Sequence, residues 1–295
     1  MKKRSLKFND KAKDFLKSMC FLSPSLLGVG VFFIIPFFVV VYYSVIDGVG
    51  SRNFVFLDNF VKLFHNSAFL TAAKNTLTFS FLAVPLAVIL SMALALMLEC
   101  RIPLKSQFRT FFLSPMMVPV ASVVLIWQVL FNYNGTVNEF IMLFGADKID
   151  WLKSDYCMVV IVVLFLWKNL GYNMILFMAA LNNIPKEMLE AAELDGASGW
   201  YQLIHIKLRF LSPTVLFVTI LSIINSFKVF REIYLLTGDY PYTGLYMMQH
   251  FMNNMFNNLD YQKLSAAAVL LALVIIVLVA ILFAVENYFG KDVEG

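Results

Sequence analysis

Leu264–Val285 reads LSAAAVLLALVIIVLVAILFAV, with no charged side chain along its whole length. About 20 apolar residues suffice to carry a helix across roughly 30 Å of hydrocarbon. The backbone of such a segment can satisfy its own polar groups in lipid only as a helix. The same test, applied outward, marks four more charge-free stretches, Ser18–Ile46, Asn75–Leu98, Thr110–Asn138 and Phe210–Phe227. A sixth, Tyr156–Pro185, is interrupted only by Lys168. The reading is an all-α polytopic membrane protein with six transmembrane helices, at about 19–45, 75–98, 110–132, 157–181, 210–229 and 264–285.

Composition agrees. Of the 295 residues 60% are hydrophobic and only 14% charged, against roughly 25% charged in a soluble domain. The net charge of +4 is too small for a nucleic-acid footprint and instead follows the helix ends. Prolines 24, 36, 85, 115, 119 and 213 fall inside the expected spans. Neighbouring helices and water tolerate them there, with kinks. The basic start, Lys2 to Lys17, precedes an apolar run too long for a signal peptide. It is expected to be a cytoplasmic tail, 1–17, before a transmembrane domain at 18–289 and a second tail at 290–295.

Orientation follows from Lys and Arg in the short loops. The tail and the second loop, with Arg101, Lys105 and Arg109, are basic. The third loop holds Glu139, Asp147, Asp150 and Asp155 against Lys148 and Lys153. Both termini then lie in the cytoplasm, and 46–74, 132–156 and 228–263 form outer loops. Trp127, Trp151, Tyr133 and Tyr156 near the boundaries suit an aromatic belt. His65, His205 and His250 are dispersed, with no metal or triad spacing, and are expected to be solvated. Cys20, Cys100 and Cys157 show no metal spacing and are expected to be structural thiols.

The cytoplasmic loop 182–209 is too polar to be a span and too ordered in pattern to be a simple turn. Pro185 can open a helix, Lys186–Leu194 holds strong helix formers, and Glu187 and Glu190 suit the positive end of a helix dipole. Gly196 and Gly199 interrupt it. Trp200, Leu203, Ile204 and Leu208 then recur at helical spacing. Two short helices at an angle, offered to a protein partner, are expected.

Glu190-Ala191-Ala192, three residues, Gly196, nine residues, then Ile206-Lys207-Leu208 resembles the coupling loop of binding-protein-dependent ABC importer permeases. The flanks agree, Leu181-Asn182-Asn183-Ile184-Pro185 before the tripeptide and Asp195-Gly196-Ala197 within the loop. Pro24-Ser25-Leu26-Leu27-Gly28, Trp167-Lys168, Leu236-Thr237-Gly238 and Ala266-Ala267 are similar to the maltose/glycerol-phosphate branch. Two departures stand out: Arg209 replaces the usual proline after Leu208, and Asp239-Tyr240-Pro241 replaces Gly-Gly-Pro.

The resemblance implies a permease subunit importing a carbohydrate, meaning a sugar, oligosaccharide or glycerol-phosphate-like solute, across a bacterial plasma membrane. It implies a cytoplasmic ATPase dimer, a second and different permease subunit, and an extracytoplasmic solute-binding protein. Coupling to the ATPase would fall on Glu190, Ala191, Ala192, Asp195, Gly196, Ile206 and Leu208. No G-x-x-x-x-G-K-[ST] phosphate loop occurs. The chain itself is therefore expected to be no enzyme and to bind no cofactor, with ATP used by the partner.

Within the spans, Lys168, Asn169, Tyr172 and Asn173, with Ser222 and Asn225, are the polar candidates. They can line a path for hydroxyl-rich solutes or act as interhelical glue. An ion-coupled carrier working without an ATPase is the alternative. It calls for acidic residues within the spans, and the charge-free stretches contain none.

Overall fold

The computed structural model describes residues 2–48, 50–99 and 103–289. Cys100, Arg101 and the expected tail at 290–295 lie outside the described residues, as do the side chains of the basic residues before Lys13. The chain divides into two compact units, residues 1–65 with 255–272, and residues 66–254 with 273–295. Among the described residues the only β pairing is an isolated bridge between Ile46 and Phe54.

In the first unit, α1 (Lys2–Val29) passes through a π-helical turn at Gly30–Ile34 into α2 (Ile35–Ser44). The helix thus begins within the segment expected to be a tail. The π turn lies directly before Pro36, whose ring removes a backbone donor and crowds the preceding turn. Phe21, Phe32 and Phe33 are 86%, 75% and 71% exposed, a surface suited to lipid. After α2, Asn59 on α3 (Asp58–Phe64) donates its side-chain amide to the carbonyls of Ser44 and Ile46, at 3.0 and 2.8 Å. Nearby, Ser51 and Asn53 donate hydrogen bonds to the Asp47 carboxylate, which holds its pKa below the ordinary value.

The second unit opens with α4 (Ser67–Glu99), which starts eight residues earlier than the sequence pattern predicts. The third expected span is two helices, α5 (Lys105–Met117) and α6 (Val120–Leu130), bent by 100°. Pro119 causes the break. Val118 before it is extended, at φ −77° and ψ 127°, as a residue preceding proline prefers. A short helix, α7 (Thr136–Met142), precedes α8 (Cys157–Asn182). Then come α9 (Lys186–Leu194), α10 (Gly199–Gln202), α11 (Leu208–Lys228), α12 (Phe230–Thr237) and α13 (Met248–Asn257). The last helix, α14 (Tyr261–Phe289), carries the stretch read first. Among the described residues five helices are long and apolar enough to cross a membrane, or six where the bent pair α5–α6 counts as one span.

Helices α4, α5, α8 and α11 pack together. Gly171 of α8 explains how closely: a Cβ there would lie 1.8 Å from the carbonyl oxygen of Phe112 on α5. Only glycine permits that approach, the small-residue contact typical of membrane helices. Two buried clusters share α8. One uses Cys157 to Phe165 with Phe79, Val123, Trp127 and Ile233; the other uses Met174 to Leu181 with Val88, Leu98, Leu211 and Val218. Polar residues of α8, Lys168, Asn169, Tyr172 and Asn173, lie between them.

Three expectations are revised. Trp127 is not a belt residue: it is buried, its ring 5.1 Å from that of Trp167. Trp151 instead donates its indole N–H to Asn138 Oδ1 at 2.9 Å. His250 is not solvated but 1% exposed. Its Nδ1 accepts from the backbone N–H of Met247, its ring meets Phe230 edge-on at 4.6 Å, and burial pushes its pKa down to about 4. The segment 228–263 is not an open loop, because α12 and α13 bury Ile233, Leu236 and Phe251.

Candidate functional site

The loop 182–209 places most of its motif on the surface. Glu190, Ala191, Asp195 and Gly196 are exposed and Ala192 half-buried. Pro185, with ψ 128°, turns the chain into α9, and Glu187 sits in its first turn. Leu189 faces the second cluster while Met188 and Leu194 stay open, Leu194 at 90%. Gly196, at φ +80°, ends the helix in the left-handed conformation. The N–H groups of Gly196 and Ala197 donate to the carbonyls of Glu193 and Ala192, at 3.0 and 2.9 Å. This is the glycine-terminated helix end, and it fixes the exit direction of the chain.

Beyond the turn, Ser198 Oγ accepts the N–H of Tyr201 and caps α10. The second expected short helix is not separate. α10 continues through a π turn at Leu203–Lys207 directly into α11. With Arg209 after Leu208, nothing interrupts the backbone ladder there, and Pro213 lies inside α11. Ile206 packs on the second cluster, and Leu208 is half-buried. Lys207 donates to both carboxylate oxygens of Glu99 at 2.8 and 2.7 Å, tying this segment to the end of α4.

The in-span polar residues separate into two sets. Asn173 and Ser222 are fully buried, and the Asn173 amide donates to Ser222 Oγ at 3.0 Å. This rung joins α8 to α11 and opens onto nothing. Asn225 Nδ2 donates to Asn169 Oδ1 at 3.0 Å, and Asn169 Nδ2 donates to the Phe165 carbonyl at 2.8 Å. That second rung faces a cavity of about 420 Å3. Lys168, Asn169, Tyr172 and Asn225 all line it, with Lys228, Arg231 and Glu232. The apolar remainder of the wall includes Met116, Phe165 and Leu221.

Lys168 is ion-paired with Glu232 of α12, whose side chain is only 7% exposed. The partly exposed Lys168 ammonium compensates the buried Glu232 carboxylate for its loss of hydration. The sequence reading missed Glu232 and Arg231 because it placed 228–263 outside the bundle. Val229, Ile233 and Leu236, spaced four and three apart, are the helical signal that would have found them. Glu232 also removes the ground on which the ion-coupled carrier was set aside, since an acidic side chain does lie beside a span. Its charge is committed to Lys168.

Comparison with known proteins decides the class. Residues 64–295 match the family described as binding-protein-dependent transport system inner membrane component. The chain is 28% identical to the lactose transport system permease protein LacF of Rhizobium radiobacter, over 92% of this chain and 93% of that one. It is 29% identical to the arabinooligosaccharides transport system permease protein AraP of Bacillus subtilis, over 99% and 93%. With the sn-glycerol-3-phosphate transport system permease protein UgpA of Escherichia coli it shares 31%, over 89% and 91%. The fold matches a chain of a bacterial ABC transporter involved in the import of the acidic polysaccharide alginate, with a TM-score of 0.82 at 22% identity over 95% and 98%. A multi-pass inner-membrane permease subunit rather than an enzyme, the chain belongs to the family of binding-protein-dependent transport system inner membrane components.

Proposed function

We propose that this permease imports a carbohydrate (sugar, oligosaccharide or glycerol-phosphate-like solute) across a bacterial plasma membrane with energy from a separate ATPase dimer. Residues 18–289 form its transmembrane domain, and both termini and the loop 182–209 lie in the cytoplasm. The chain binds no cofactor; ATP is used by the ATPase. A second, different permease completes the pore and an extracytoplasmic binding protein delivers the solute. The named solutes of the permeases it resembles support the substrate class. A complex of the alginate transporter with its periplasmic protein has been solved, and that related assembly supports the delivery step.

The observation that carries coupling is the form of α9. It is a short helix with no buried residue, terminated by a glycine in a conformation few other residues adopt. A rigid exposed helix can transmit a push from a closing ATPase. Glu190, Ala191, Ala192 and Asp195 form the contact, Gly196 sets its angle, and Ile206 and Leu208 root it in the bundle. Lys168, Asn169, Tyr172 and Asn225 line the solute path. Asn173 and Ser222 hold its walls.

Gly196→Pro tests this directly. Proline fixes φ near −65° and has no N–H to donate, so the turn at φ +80° cannot form. The variant is expected in the membrane fraction at the normal level, with ATP-driven solute uptake abolished. Uptake at the unsubstituted rate would sink coupling through this loop.

A further inference from the structure

The cavity beside Lys168 has an unbalanced charge. Lys168, Lys228 and Arg231 line it, and the only carboxylate among the lining residues is Glu232, already paired with Lys168. Among the described residues no carboxylate forms an ion pair with Lys228 or Arg231. Lys168 is fourteen residues along α8 from Asn182, about 21 Å above that helix end at 1.5 Å per residue. Lys228 is the last residue of α11 and Arg231 lies in the first turn of α12, and both line the cavity while remaining exposed.

Charged side chains of a membrane protein that line a cavity mark solute and ion pathways. Low-dielectric walls concentrate their field in the cavity. The remaining polar wall, Asn169, Tyr172 and Asn225, offers amide and hydroxyl groups suited to a polyhydroxylated solute.

We propose that this cavity selects a solute carrying a carboxylate or phosphate group, with Lys228 and Arg231 as its counter-charges. The proposal rests on the carbohydrate-import reading and narrows it to acidic saccharides or phosphate esters of polyols. Lys168, neutralised by Glu232, contributes position more than charge. Arg231 presents the planar fork that binds either anion through two parallel hydrogen bonds.

The test uses the assembled importer in proteoliposomes with its binding protein inside the assay. ATP-dependent uptake of trigalacturonate, glycerol 3-phosphate and neutral maltotriose is measured. Uptake of at least one anion and not of maltotriose is expected, and which anion is carried separates carboxylate from phosphate recognition. Lys228→Gln with Arg231→Gln should lower that uptake about tenfold or more, as loss of charge-assisted hydrogen bonds implies. Lys228→Arg should retain it, with membrane levels unchanged throughout.

Maltotriose uptake with neither anion carried would overturn the anion proposal and leave the importer standing. Anion uptake unaffected in the double Gln variant would also overturn it. So would loss of uptake through poor folding or loss of a bound anionic lipid, read from thermal midpoints and lipid analysis. Absence of ATP-dependent uptake of all three would count against the carbohydrate-import reading itself.

Discussion

The loop at 182–209 and the cavity at Lys168 hold their functional groups by opposite means. The loop is exposed, and its shape comes from backbone chemistry: an opening proline, a positive-φ glycine and a serine cap. The cavity is lined by helices, and its shape comes from side-chain pairs drawn from distant parts of the chain. A surface element of the first kind can be damaged functionally at small cost to the fold. A buried polar site of the second kind should lose stability when one partner is removed, because the other is left without its compensation.

Substitutions at the two places should therefore separate stability from transport. Glu232→Ala is expected to have the largest effect on the fold, about 3 kcal/mol, since it leaves the Lys168 ammonium without its counter-charge in a cavity that Lys228 and Arg231 also line. Thermal unfolding of the purified complex measures it. The double variant Lys168→Met, Glu232→Leu should recover most of that loss; failure to recover would mean that the pair does more than compensate itself.

Next in size is the dry rung. Asn173→Leu leaves the Ser222 hydroxyl without its amide and should cost about 2 kcal/mol, while protein that still folds transports normally. Asn225→Leu, on the rung that faces the cavity, should do the reverse, with a smaller loss of stability and reduced uptake. Equal behaviour of the two variants would erase the distinction between wall and path.

The smallest cost to the fold is expected from Gly196→Ala. A Cβ at φ +80° costs about 1 kcal/mol, and there is open space around that position. The thermal midpoint should barely move, yet uptake should fall because α9 leaves the bundle at a changed angle. Unaltered uptake would show that the angle is not what the partner reads.

The same division appears in what could be read from the chain. The span that ends at Asn182 and the helix beginning at Lys186 were legible, because their signals are local: apolar runs, a proline, helix formers and a glycine. The third span was legible as apolar but not as bent, since periodicity does not say whether Pro119 kinks a helix or ends it. Lys168 was visible as an isolated charge. Its partner was not, because Glu232 lies 64 residues away, past an apparent end of helix five. Gly171 gave no signal at all; its role exists only where α5 crosses α8.

Hydrophobic length and charge placement, which act along a single segment, were enough to determine a membrane protein of about six spans with a helical loop before the fifth. Tertiary packing alone decided which polar residues inside those spans meet each other and which meet open space. Asn169 and Asn173 are chemically identical and four apart on one helix. The neighbours supplied by α11 and α12 close over one and leave the other facing the cavity.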